Sequence, residues 1–287
     1  MTSPLISTAE LATAINAQAA QLVVVDSRHD LMNAAAGRDA YAAGHIPRAI
    51  FMSIDDDLAG KKNGSNGRHP LPPPDVFAAT LGAKGIGNDT RVVVYDSGNA
   101  MYAGRLWWML RWLGHDNVFV LDGGFAKWQL EGRPLETAEQ TRAPATFVAS
   151  MRAQMRLTAD DTVAAITDPQ LRIVDARAAE RYRGEVEPVD PIAGHIPGAT
   201  NRPFGLNQRD GVFKPAAELK LEFEAILDGR APTQLIHQCG SGVSACANML
   251  AMEHAGLPGS RLYAGSWSEW CSDPTRPVAV GAEPFKP

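Results

Sequence analysis

A cysteine stands at position 239 in QCGSGVSACANML (238–250), directly after the apolar run TQLIH and before a stretch that loses its glycines and becomes helical. A thiol at a strand-to-helix turn lies where an open α/β sheet places its ligands. Gly240 and Gly242 flank Ser241, and such a loop can turn its backbone N–H groups inward as an anion-binding nest. The helix beginning near Val243 adds unpaired N–H groups and its positive dipole end on the same side. Both effects favour the thiolate, the nucleophilic form of cysteine. The expected chemistry is nucleophilic attack by Cys239, with Gly240, Gly242, Val243 and Ser244 lining the anion site. The competing reading is an inert buried thiol, because free cysteine is among the most buried residue types. Cys246 and Cys271 have no comparable setting and read as structural.

The elements that must position this loop occur twice. LVVVDSRHDL (22–31) matches LRIVDARAAERY (171–182), YAAGHIPRAI (41–50) matches PIAGHIPGAT (191–200), RVVVYDSGN (91–99) matches TQLIHQCGSG (233–242), and VFVLDGGFAKW (118–128) matches SRLYAGSWSEW (260–270). Four ordered matches identify a duplicated domain. Each half alternates short Val/Ile/Leu runs with helical patterns, which predicts an α/β fold: tandem domains, each a parallel sheet with helices on both faces. The boundaries read as 1–138 for the first domain, 139–149 for a linker and 150–287 for the second; EGRPLETAEQTRAPATF (131–147) is polar, proline-bearing and aperiodic. The duplication also supplies an internal control. Asp96 falls where the second half has Cys239, so the fold does not need the thiol, and the first half is expected to be catalytically silent.

The same control sorts the other candidates. His45 and His195 recur in both GHIP motifs, as Asp26 and Asp175 recur at the strand ends, so hydrogen-bonding roles in the fold are expected for all four. His69, in GRHPLP (67–72), has no repeat partner and lies in a Gly/Pro-rich loop, which favours function over a solvated surface histidine. Asp55, Asp56 and Asp57 form an acidic run in which residue type alone does not choose a functional member from a solvated turn or cap. Arg181 and Arg183 are compatible with ordinary surface pairing to Glu180 and Glu185. The tryptophans of RLWWMLRW and GSWSEW read as core and domain-interface packing.

Composition removes several classes. The chain has 287 residues, 45% hydrophobic and 21% charged, the balance of a globular protein. A formal net charge of −5 and scattered Lys and Arg give no support to nucleic-acid binding. MTSPLISTAELATAI has no basic segment followed by an apolar core, so no secretory signal is expected, and no run approaches a membrane span. Three cysteines without a CxxC pair or histidine-spaced pattern give no metal site. They read as free thiols in a reducing cytoplasm.

Taken together, VDSR/VDAR, the two GHIP motifs, CGSGVSA and GSWSEW resemble the two-domain sulfurtransferases, the family of rhodanese and 3-mercaptopyruvate sulfurtransferase, over nearly the whole chain. The resemblance implies a silent first domain and a second-domain cysteine, here Cys239, that carries sulfur as a persulfide to a thiophilic acceptor. It implies that Ser241 is the serine of the mercaptopyruvate-type loop, which the rhodanese type replaces with a cationic Arg-Lys pair. It further implies that His69 teams with Ser241, that Asp55 orients His69, and that Arg181 grips the donor's anionic end. One departure stands out: where mercaptopyruvate-type enzymes carry a second arginine nine positions on, this chain has Asp190, with Arg183 and Arg202 as possible substitutes. The expected donor is 3-mercaptopyruvate, with thiosulfate slower; the acceptor is cyanide or a thiol, thioredoxin-like proteins included; no cofactor is required.

Two other classes compete. A phosphotyrosine-type phosphatase also uses a cysteine in a glycine-bearing anion loop, but needs an arginine near the loop's end, where this chain has Ala245. A non-catalytic sulfur-relay or binding scaffold would use the repeat as a partner surface. Sulfur uptake that depends on Cys239 separates it from the enzyme.

Overall fold

The computed structural model describes residues 3–19 and 21–282. The first half runs β1 (Leu5–Ile6), α1 (Thr8–Asn16), β2 (Leu22–Asp26), α2 (Ala36–Ala43), β3 (Ala49–Phe51), α3 (Pro74–Ala83), β4 (Arg91–Tyr95), α4 (Met101–Trp112), β5 (Val118–Leu121) and α5 (Gly124–Leu130). The second runs β6 (Arg156–Leu157), α6 (Ala159–Thr167), β7 (Arg172–Asp175), α7 (Ala179–Tyr182), β8 (Thr200–Asn201), a hairpin of β9 (Gln208–Arg209) and β10 (Val212–Phe213), α8 (Ala216–Leu227), β11 (Leu235–Gln238), α9 (Ala245–His254), β12 (Arg261–Tyr263) and α10 (Ser266–Trp270).

Each half builds a five-stranded parallel sheet of the same order, β1-β5-β4-β2-β3 and β6-β12-β11-β7-β8. The central strands read as near-continuous apolar runs because helices cover both faces of a parallel sheet; LVVVD in β2 is buried at every position. The register fixes the internal alignment. Asp26 pairs with Tyr95 and Asp175 with Gln238, so Asp96 and Cys239 emerge at the same point of the two sheets. Each sits where strand order reverses, between the carboxyl ends of the two central strands, the crevice in which open α/β sheets bind ligands.

The duplicated motifs hold the halves alike. Asp26 takes both arms of Arg28, whose guanidinium also donates to the Gly44 carbonyl at 2.7 Å; Asp175, Arg177 and Gly194 repeat this at the same distance. His45 and His195 are fully buried, each with Nδ1 2.8 Å from a tyrosine carbonyl and stacked on that tyrosine's ring. Capping boxes Ser7/Glu10 and Thr158/Asp161 start α1 and α6. Residues 132–152 carry no helix and cross the first half in extended form, pinned by backbone bonds such as Ala145 to Gly82 and Ser150 to Leu113.

One core cluster is private to each half, and a third lies between the sheets and draws on both. There α4 packs on α9, apolar and buried nearly all round, as expected for a helix enclosed by protein. The approach is close at Gly104, where an added Cβ would lie 3.3 Å from the Ala247 nitrogen. This shared core brings loops of the first half over the Cys239 crevice. The tryptophans of both motifs are buried packing residues, as their sequence context suggests. No helix among the described residues is long and apolar enough to cross a membrane.

Candidate active site

Cys239 follows β11 and lines a cavity of about 230 Å³ whose wall also includes Gly240, Ser241, Val243 and Ser244. Its own N–H donates to Ser266 Oγ at 3.1 Å, and its carbonyl accepts from Trp267 N–H at 2.9 Å. Ser266 adopts φ +54, a left-handed conformation unusual for a residue with a side chain, and its hydroxyl donates to the Tyr263 carbonyl. The β12–α10 junction thereby clamps the base of the loop. Gly242 has φ +73, and a Cβ there would meet the Ala264 carbonyl oxygen at 2.2 Å, so both conformation and space demand glycine. Among the described residues, no acceptor takes the N–H groups of Gly240, Ser241, Gly242, Val243 or Ser244. These are five successive N–H groups just before α9 without a protein acceptor.

Gly242 does not line the cavity, contrary to its expected place among the binding residues. Its carbonyl turns inward instead and accepts from Arg105 of α4 at 3.0 Å. Arg105 is fully buried and also donates to the His69 carbonyl at 3.0 Å, so one guanidinium from the first half ties the His69 loop to the Cys239 loop. Burial pulls its guanidinium below the ordinary range. Sequence reasoning missed it, since an arginine among tryptophans in a repeated helix gives no signal until the partner loops are known.

His69 and Ser241 meet across the two halves, with Nδ1 2.8 Å from Oγ. On the other side of the ring, Nε2 lies 3.5 Å from Asp55 Oδ1. Of the acidic run, Asp55 alone faces this histidine; Asp57 accepts from the Ser53 N–H and pairs with Lys84. Burial, assisted by the positive Arg105, Arg68 and Lys62, pushes the His69 imidazole down to about 3. The ring is therefore neutral near pH 7. With the Asp55 carboxylate at Nε2, that nitrogen carries the proton, and Nδ1 accepts the Ser241 hydroxyl. His29, which sequence reasoning left unused, has its Nε2 3.9 Å from Asp55 and packs edge-on against Tyr102.

Arg181 reaches the cavity as expected, but its partners are not those its neighbours suggest. It pairs with Glu187 at 2.6 Å and Asp190 at 3.3 Å, while Arg183 pairs with Glu185 at 2.7 Å. Neither substitute for the missing second arginine lines the cavity: Arg202 is occupied by Glu222 and Asn207. A residue passed over beside His69 does. Arg68 lines the cavity and pairs with Asp190.

The remaining cysteines are structural. Cys246 is buried in α9, its thiol pushed up to about 12 by burial, and Cys271 is buried and raised by the same cause. The three cysteines are unpaired, and no cluster of metal-ligating side chains occurs among the described residues.

The rhodanese-like domain model matches the chain twice, at residues 7–131 and 158–273. The chain is 46% identical over 263 residues to a probable 3-mercaptopyruvate sulfurtransferase of Pseudomonas aeruginosa, covering 91% of this chain and 93% of that one. It is 40% identical over 283 residues to a putative thiosulfate sulfurtransferase of Mycobacterium tuberculosis, covering 96% and 97%. Among solved structures, 3-mercaptopyruvate sulfurtransferase from Leishmania major superposes with a TM-score of 0.79 at 30% identity, covering 94% of this chain and 75% of that one.

Proposed function

The chain belongs to the two-domain rhodanese-like sulfurtransferases, and from that premise we propose that it moves sulfur from 3-mercaptopyruvate through a persulfide on Cys239 to cyanide or a thiol. The observation that carries this reading is the Ser241–His69–Asp55 line, 2.8 and 3.5 Å between its members, beside a cysteine at the mouth of five amides without acceptors.

The Cys239 thiolate attacks the donor's sulfur, the carbon–sulfur bond breaks, and its electron pair becomes an enolate. That enolate needs a proton, and the donor's own thiol has one to give up. His69 would take the proton through the Ser241 hydroxyl onto Nδ1, with Asp55 at Nε2 balancing the transient positive charge, and return it by the same route to the enolate carbon. Pyruvate leaves, and the outer sulfur stays as an anion facing the loop amides. Cyanide or a thiolate then attacks that sulfur, and Cys239 departs as thiolate. Arg181 holds the donor's carboxylate. Each step balances without a metal or organic cofactor. Three unpaired thiols support a reducing cytoplasmic setting, where thioredoxin-like thiols are available as acceptors.

Thiosulfate remains the second reading on one observation: Arg68 brings positive charge over Gly240, where the loop itself has none. Thiosulfate leaves as sulfite and needs no returned proton, so it gains nothing from the relay. The ratio of kcat/KM for the two donors, with cyanide as acceptor, tests the choice; a thiosulfate preference overturns it. Intact mass after donor treatment tests the carrier: one added sulfur on the wild type and none on Cys239→Ala is expected. Equal uptake by both proteins removes Cys239 from the mechanism.

A further inference from the structure

The geometry points to Arg68 and Asp190 as a displaceable ion-pair gate over the cavity, in which the donor's carboxylate takes the place of the Asp190 carboxylate on Arg68 and Arg181. This rests on the cavity being the donor site.

Asp190 bridges two guanidiniums, one oxygen engaging Arg68 from the first half and the other lying 3.3 Å from Arg181. A bound carboxylate would do the same. Both arginines stand directly over the amide loop: a Cβ on Gly240 would lie 2.7 Å from Arg68 Nη2 and 3.7 Å from Arg181 Nη1. A side chain at position 240 would therefore have to push the end of Arg68 aside. The other charges nearby are committed. Glu187 serves Arg181 and Arg177, and Asp175 holds Arg177, whereas Asp190 is the one acidic partner of Arg68 among the described residues.

Three arginines and three carboxylates balance, so an entering anion must displace a carboxylate to gain a partner. Asp190 is suited to yield. Its side chain is only 3% exposed, and burial pushes its carboxyl above the ordinary range against the pull of both arginines. It also rides on a stretch that is irregular where the first half is helical. In the first half α2 (Ala36–Ala43) runs up to the turn before His45, whereas residues 183–193 before His195 have no helix or strand. The Arg68 backbone is held by contrast, its main-chain N–H donating to Ser268 Oγ at 3.0 Å.

Pyruvate, a carboxylate that cannot donate sulfur, is the direct probe. By calorimetry, Asp190→Asn should bind it about tenfold more tightly than wild type and Arg68→Ala about tenfold more weakly, each a change of about 1.4 kcal/mol. The double variant Arg68→Ala/Asp190→Asn removes the danger of a stranded buried carboxylate and should bind more weakly than Asp190→Asn alone. In turnover, the Arg68→Ala loss should appear in KM and be at least about tenfold larger with 3-mercaptopyruvate than with 1-mercaptopropan-2-one, which has the same thiol and ketone but no carboxylate. Equal losses with both thiols, or pyruvate binding indifferent to Asp190→Asn, overturns the gate. Because the pyruvate titration requires no sulfur transfer, it separates the gate from the reaction. Normal sulfur loading with unresponsive pyruvate binding sinks the gate alone, and the expected binding pattern without loading of Cys239 sinks the reaction alone.

Discussion

After β4 the chain turns with Asp96; after β11 it turns with Cys239. In the first half the carboxylate folds back into its own loop and accepts from the N–H groups of Gly98, Ala100, Tyr102 and Ala103 at 2.9–3.2 Å. In the second half the N–H groups of Ser241 and Val243, which correspond to Gly98 and Ala100, have no acceptor among the described residues, whereas that of Cys246, which corresponds to Ala103, donates to the Val243 carbonyl at 3.1 Å. The two loops are clamped alike from below, by Phe125 N–H on the Asp96 carbonyl and Trp267 N–H on the Cys239 carbonyl. The fold therefore makes an anion nest twice. One copy is filled by the Asp96 carboxylate; the other lies beside the Cys239 thiol. The first loop keeps the scaffold and differs by a resident carboxylate in place of the thiol.

The comparison is broken most sharply at Cys239 itself. Cys239→Ala should lower turnover at least about a thousandfold, since the covalent route is removed, yet change stability by only about 1 kcal/mol, because no loop amide depends on the sulfur. Steady-state kinetics and urea unfolding on one sample check both halves of that statement. A large loss of stability would mean that the thiol, like Asp96, is part of its loop's structure. The next effect is on the relay, which the first half does not possess. His69→Ala and Ser241→Ala should each lower kcat with 3-mercaptopyruvate about a hundredfold and affect thiosulfate less. Equal losses on the two donors would remove proton transfer from the account.

Asp96→Asn sharpens the comparison from the other side. An amide presents one carbonyl oxygen and a donor where two carboxylate oxygens accept four N–H groups, so at least one buried donor loses its partner. The expected cost is roughly 1–3 kcal/mol, read as a lower urea midpoint with unchanged slope. Sulfur uptake per molecule should stay at one, because an opened first-half loop still has no thiol.

Much of this was legible in the sequence because duplication acts as an alignment. The parallel sheets follow from runs such as LVVVD and RVVVY, and the Asp96/Cys239 correspondence follows from strand register that the repeats already imply. His69 was visible as an unrepeated histidine in a loop. What stayed hidden are contacts made between the halves. Arg105 looks like a core-helix residue until the Gly242 and His69 carbonyls arrive on either side of its guanidinium. Asp190 reads as a missing arginine, although the structure makes it the counter-ion of an arginine 122 positions earlier. Periodicity reports which face of an element is buried and carries no information about which loop of another domain will lie on top of it.

The smallest effect concerns the strand beneath the loop. His237 in β11 pairs with Val174, and the residue at the same place in the first half is Val94, paired with Val25. Burial alone pushes the His237 imidazole down to about 3, whereas an unfolded histidine takes its proton near pH 6.5. Between these values the unfolded chain binds the extra proton, so this histidine removes stability as pH falls from about 6.5 toward 3, at up to about 1.4 kcal/mol per pH unit. His69 acts in the same direction from the same cause. Making the second half resemble the first with His237→Val should therefore flatten the acid side of the stability curve. Its stability difference between pH 8 and pH 5 should shrink by about 1–2 kcal/mol relative to wild type, while His69 keeps its share of the slope. Urea midpoints at the two pH values measure it. An unchanged difference would mean that the wild-type strand already accommodates a charged His237, and that the two central strands are not equivalent apolar supports for their loops.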